Sequence, residues 1–249
     1  MTEAAPCSSL PFGSGCMRRD ALVSVSSVEN GLLLRIACLH TAESNVAVFD
    51  TACRDLGLGA GVTLRHEVRA DLLADAERAG GLTPELALRT GEALLALSEE
   101  ADVVVLTCST LGPSVKGVAV RTVPVLRVDA ALAGEAVRDG GRVVALCAVE
   151  TTLGPTRALF EEAAMATGTE VEVRLVPGAW AAFKAGDRDR YLALVAEAAD
   201  EAARDGLSRV VLAQASMAGA AKLGKIALAP LTSPAAGLRA AIAQACTAA

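Results

Sequence analysis

The sequence predicts an α/β protein of two similar halves, each a four-stranded parallel sheet flanked by helices, related by a pseudo-twofold with an active cleft between them. Three observations carry that expectation. From Leu32 onward, short apolar runs alternate with longer helical patterns. The eight apolar runs form two sets of four that superimpose at an offset of 106 or 107 residues, Leu39 matching Leu146 and Leu106 matching Leu212, the signature of an internal repeat. The composition is 53% hydrophobic with one Trp, one Tyr and four Phe, so the core is aliphatic, as suits parallel sheets under Ala-rich helices.

Residues 1–31, with Pro6, Pro11, Gly13 and Gly15 among serines, lack sustained periodicity and read as a flexible N-terminal extension. The first half, 32–131, places strands near 33–39, 62–68, 103–107 and 124–128. The second half, 132–249, places them near 142–148, 170–176, 209–213 and 227–231, and the chain end from 226 to 249 can pack back on the first half. Thr83-Pro84-Glu85-Leu86 supplies an N-cap, a proline at the first helical position and an acid in the first turn, which predicts a helix over 84–100. Its counterpart runs from Asp187 to Arg204.

A net charge of −6 and a pI near 5.1 argue against nucleic acid, whose partners present clustered Lys and Arg. No apolar run reaches the roughly 20 residues that cross a bilayer, and the N-terminus lacks the cationic and apolar blocks of a signal peptide, so a cytoplasmic protein without membrane contact is expected. Seven cysteines at 7, 16, 38, 53, 108, 147 and 246 form no Cys-x-x-Cys pair and accompany two histidines, which predicts neither a disulfide scaffold nor a metal site.

Cys108 stands out among them. It follows the strand Val103-Val104-Val105-Leu106-Thr107 and precedes Ser109-Thr110; the repeat rewrites that passage as Val210-Val211-Leu212-Ala213-Gln214-Ala215-Ser216, with glutamine at the cysteine position. Carboxyl ends of parallel strands are where open α/β sheets bind ligands, so Cys108 and Gln214 should face each other across the cleft. Free N–H groups and the helix dipole there favour an anion, and Ser109, Thr110 and Ser216 add hydroxyls. The bland alternatives are a cysteine that only packs a strand end and hydroxyls that only cap helices. The cleft walls should come from loops near 40–46, 110–117, 151–156, 178–186 and 215–222, with Lys116, Lys184 and Lys222 the candidates for a second substrate carboxylate.

These residues resemble the aspartate/glutamate/hydantoin racemase superfamily, with its arylmalonate decarboxylase and maleate isomerase relatives, over roughly residues 33–240. Cys108-Ser109-Thr110 matches the first-half cysteine motif, and Gln214-Ala215-Ser216 matches the second in position with the thiol lost. Val149-Glu150-Thr151-Thr152 looks like the family's carboxylate-holding turn, and His40-Thr41 stands where a polar residue supports the first cysteine. The resemblance implies two flavodoxin-like halves, a homodimer or higher oligomer, and cofactor-independent chemistry at the carbon alpha to the carboxylate of a small acid. Two thiols would act as base and acid in such a family. An amide can do neither near neutral pH, whereas a thiol can be tuned to either. The readings left are single-cysteine chemistry such as stereospecific decarboxylation or one-sided isomerisation, a Cys108 nucleophile tuned by His40, a non-catalytic carboxylate-binding homologue, and racemisation with an unrecognised second acid.

Overall fold

The computed structural model describes residues 33–118 and 123–248, so the predicted extension over 1–31 lies outside the described residues. The first half runs β1 (Leu34–His40), α1 (Ser44–Asp55), β2 (Val62–Val68), α2 (Ala70–Ala79), α3 (Pro84–Ser98), β3 (Val103–Leu106), β4 (Val125–Arg127) and α4 (Val128–Val137). The second repeats the order with β5 (Arg142–Cys147), α5 (Leu153–Ala164), β6 (Glu170–Leu175), α6 (Ala179–Lys184), α7 (Arg188–Ala202), β7 (Ser208–Leu212), β8 (Leu231–Thr232) and α8 (Ser233–Ala248). Each half forms an all-parallel sheet, in the orders β2-β1-β3-β4 and β6-β5-β7-β8.

The inner strands are apolar through their centres because both of their faces are covered there; Val103, Val104 and Val105 are fully buried. At α3, the Thr83 hydroxyl accepts the Leu86 N–H at 3.2 Å and Pro84 occupies the first turn; at α7, Asp187 accepts the Arg190 N–H at 3.1 Å. The two longest predicted helices therefore start where their caps are written.

The last helix of each half is exchanged. Leu238 and Ala241 of α8 pack with Ile36, Val103 and Val105 of the first sheet. Leu132 and Ala133 of α4 pack with Val143, Ala145 and Val211 of the second. The two helices cross at Gly237, where a Cβ would stand 2.5 Å from Val128 Cγ1, closer than side chains tolerate. Only glycine permits that approach.

Seven of the eight strands lie within two residues of their predicted limits, and the eighth does not. The run at 227–231 is irregular except at its last residue, and β8 is Leu231–Thr232. Leu228 is exposed, and Pro230 has no N–H to offer a neighbouring strand. Among the described residues, no helix is long and apolar enough to cross a membrane.

Candidate functional site

The carboxyl ends of the two sheets meet around a small cavity of roughly 50 Å³, lined from the first half by Thr41, Asn45, Leu73 and Thr107 through Thr110, and from the second by Thr152, Phe183 and Gln214 through Ser216. Thr107 fixes one wall: its N–H and its hydroxyl both reach the Leu39 carbonyl, at 3.1 and 3.0 Å, and tie the end of β3 to β1. Cys108 is thereby held at the rim of the first sheet.

The Cys108 thiol is enclosed, and burial pushes its pKa above the ordinary value; a nearby Asp129 pushes the same way. Three donors oppose them: the Thr41 hydroxyl and the backbone N–H groups of Thr110 and Leu111. Burial prevails, so the resting side chain is the neutral thiol. The donors nevertheless make a nest in which sulfur can carry negative charge when it gives up its proton.

From the second half, Gln214 lines the same cavity as Cys108, and its Oε1 accepts the Ala148 N–H at 2.5 Å. That bond fixes the carboxamide's orientation and leaves its NH2 group as the free donor. Ser216 Oγ lies 2.7 Å from the Tyr191 hydroxyl, whose own pKa burial pushes up to about 12. Thr110 and Thr151 bring their hydroxyls to 3.4 Å across the two halves, while the Thr152 hydroxyl donates to the Val149 carbonyl at 2.5 Å. Ser109 and Ala215 are buried in the lining.

His40 stands outside the cavity. It is fully buried and absent from the cavity lining; Nδ1 lies 2.9 Å from Thr107 Oγ1 and Nε2 lies 2.9 Å from His66 Nδ1. Burial, then the neighbouring His66, hold its pKa down at about 3, so it has no positive charge to lend a thiolate near pH 7. Thr41 is the side chain on the sulfur; His40 stands behind it and braces Thr107.

Sequence reasoning missed Leu73 and Asn45. Asn45 is buried with no partner for its Oδ1, and it lines the cavity from the first turn of α1. Its place in the loop region 40–46 was the available signal. Phe183 comes from the expected 178–186 wall and stacks on Trp180 with ring centroids 5.0 Å apart. Trp180 in turn donates Nε1–H to Glu77 Oε1 at 3.0 Å, bridging the halves beside the cleft.

None of the lysines proposed for a second carboxylate lines the cavity. Lys184 sits 5.7 Å over the Trp180 ring, and Lys222 pairs with Asp55 at 2.9 Å. A larger depression of about 550 Å³ on the α7 flank, around Leu194, Glu197 and Arg204, has no thiol or hydroxyl among its described lining residues.

No protein-family model matches the chain, and no curated protein matches its sequence. Solved structures do match its architecture. Picrophilus torridus aspartate racemase superimposes with a TM-score of 0.66 at 13% identity, over 86% of this chain and 94% of that one. The chain has the aspartate/glutamate racemase fold. Pseudomonas fluorescens allantoin racemase shares that racemase fold at a TM-score of 0.56 and 15% identity, covering 86% of this chain and 92% of its own. Glutamate racemase RacE1 from Bacillus anthracis does so at 0.58 and 14%, covering 85% and 82%.

Proposed function

We propose that the chain is a cofactor-independent, racemase-type enzyme acting at the carbon alpha to the carboxylate of a small acid, with Cys108 as its one catalytic cysteine. The observation that carries this reading is the asymmetry of the cleft: the first half contributes the Cys108 thiol to the lining, and the second contributes at the matching position an amide whose oxygen is already bonded to Ala148. Chemistry from the Cys108 side needs a single proton transfer. A carbanion or enolate at the alpha carbon, left as the C–CO2 bond breaks, supplies the electron pair for the new C–H bond while the S–H bond breaks, and the charge left on sulfur is stabilised by the nearby Thr41 hydroxyl and the backbone N–H groups of Thr110 and Leu111. The reverse step removes the same proton from the same face. A neutral resting thiol suits proton delivery to one face, as in stereospecific decarboxylation or one-sided exchange.

The lining offers neutral donors for one carboxylate, and a second carboxylate, as in a malonate, would be the one that leaves as CO2. The polar groups of the cavity are hydroxyls, the Asn45 and Gln214 amides and the backbone N–H groups beside Cys108, with no Lys or Arg among the described residues that line it. Thr110, Ser216 and the Gln214 NH2 are the donors for the carboxylate, with Thr151 behind Thr110, and Asn45 Oδ1 accepts an N–H or O–H from the substituent next to it.

The test is alpha-proton exchange in deuterated water across a panel of small monocarboxylic acids, amino acids, hydantoins and malonates. Incorporation of one deuteron with retained configuration, or loss of CO2 to a single enantiomer, is expected. Equal racemisation by the native chain would overturn the one-sided reading, and inertness toward the whole panel would overturn the enzyme. In parallel, Gln214→Cys should create or raise racemisation at least about tenfold, because it restores an acid on the far face. No gain would mean that residue 214 does not address the opposite face of the substrate.

The raised pKa makes a separate expectation. Alkylation of Cys108 by iodoacetamide should climb steeply between about pH 7 and pH 9, since only thiolate reacts and burial suppresses it at the lower end. Peptide mapping that found Cys108 fully and pH-independently labelled across this range would contradict the desolvated thiol.

A further inference from the structure

The pairing of β1 with β2 builds a second cluster of chemically active side chains. Cys38 and His40 stand two residues apart on one face of β1, and His66 is the register partner of Cys38 on β2. In a parallel pair, register partners project to the same side of the sheet, so three side chains converge. Their Sγ and ring-nitrogen atoms all lie within 4.8 Å of one another. Cys38 and His40 are fully buried, while His66 reaches the surface along the edge strand.

Each imidazole is anchored by its outer nitrogen. His40 Nδ1 meets Thr107 Oγ1 at 2.9 Å, and His66 Nε2 meets Asp50 Oδ1 at 3.2 Å. The inner nitrogens, His40 Nε2 and His66 Nδ1, face each other at 2.9 Å beside the Cys38 sulfur. A ligating histidine characteristically donates its other N–H to a carboxylate, carbonyl or hydroxyl that fixes its tautomer, and both histidines have such an acceptor here. Thr107 is free to take that part, because its own hydroxyl proton can go to the Leu39 carbonyl at 3.0 Å.

We infer that Cys38, His40 and His66 form a binding site for a borderline-soft divalent transition metal of the zinc class, with Asp50 and Thr107 as its outer support. One sulfur and two imidazole nitrogens match the preferred donors of such an ion. Bond lengths of about 2.0–2.1 Å to nitrogen require the inner nitrogens to stand about 3.3 Å apart, an opening of a few tenths of an ångström from their present separation. Water completes the coordination. From neutral histidines, binding forms one metal–sulfur and two metal–nitrogen bonds and releases one proton, that of the Cys38 thiol; the proton shared between the rings shifts to the outer nitrogens. The edge position of β2 gives the ion its way in. The bound ion would lock β1 to β2 and, through His40 and Thr107, stiffen the strand end that carries Cys108. It is a site apart from the cleft and stands whether or not the proposed turnover does.

The test uses the full chain, stripped with a chelator and titrated with Co2+ as a spectroscopic probe and with Zn2+ alone. One equivalent of Co2+ should give a thiolate-to-metal charge-transfer band in the near ultraviolet, and Zn2+ should displace it and raise the melting temperature. Cys38→Ala and His66→Asn should each abolish the band, Asp50→Ala should weaken binding about 10–100-fold, and Cys108→Ser should leave it unchanged. His66→Asn sits on the partly open edge strand, so it stays informative even where the buried Cys38→Ala fails to fold. No band at one equivalent, or a band that survives His66→Asn, would overturn the site.

Discussion

Replacing Cys108 with alanine is expected to lower turnover of any acid the native chain processes by about 10²–10⁴-fold, the range that a positioned proton donor supplies. The fold should hardly notice. Cys108 packs at the margin of the first core with part of the residue accessible, and the change removes one sulfur atom without stranding a charge. The three donors around Sγ would then turn to water or to the substrate carboxylate, so ligand affinity should persist while the chemistry stops. Rates measured beside a thermal-shift titration separate the two effects. Full activity in the alanine variant would end every reading in which this thiol acts.

The largest loss of stability should come from Arg127→Ala. Arg127 ends β4, and its guanidinium grips Asp129 through two bonds of 3.0 and 2.7 Å; the side chains are 12% and 3% exposed. Deleting the cation leaves a carboxylate buried in the first turn of α4 with one backbone N–H, that of Ala130 at 2.9 Å, as its remaining partner. Breaking one side of such a pair costs about 3–5 kcal/mol, whereas replacing both sides by apolar groups is often neutral. Urea denaturation should therefore show a much lower midpoint for Arg127→Ala and substantial recovery in Arg127→Met with Asp129→Leu. A single-mutant loss below about 1 kcal/mol would show that water reaches Asp129 freely. Gly112, four residues after Cys108, lies directly beneath the guanidinium with no room for a Cβ, so the same pair also seats the turn that follows the reactive thiol.

The architecture was legible because it is written in local terms. β2 is found at its predicted limits, and the two sets of four apolar runs are found as two four-stranded parallel sheets. The apolar run before Pro230 misled, since an apolar stretch at the end of a half is a strand only where something covers it. Within the cleft, Cys108, Thr110, Gln214 and Ser216 were readable as residues following strands of a repeated motif. Asn45 and Leu73 were not, because they come from helices whose facing toward the cavity depends on tertiary packing. His40 and Thr41 part for a related reason: strand alternation sends these adjacent side chains to different neighbours, His40 to Thr107 and Thr41 toward Cys108. The Cys38, His40 and His66 cluster left no spacing motif to find. Twenty-five residues separate His40 from His66, and only the register of β1 against β2 makes them neighbours.

The exchange of α4 and α8 fixes an order on biosynthesis. The face of the first sheet that carries Ile36, Val103 and Val105 is closed by Leu238 and Ala241, about two hundred residues later in translation than β1. The second sheet needs no such wait, because α4 has already emerged when β5 is made. While the ribosome is still at work, the first sheet is therefore an open apolar surface, the kind on which chaperones act and nascent chains associate. The half of the protein that is made first is the half that is finished last.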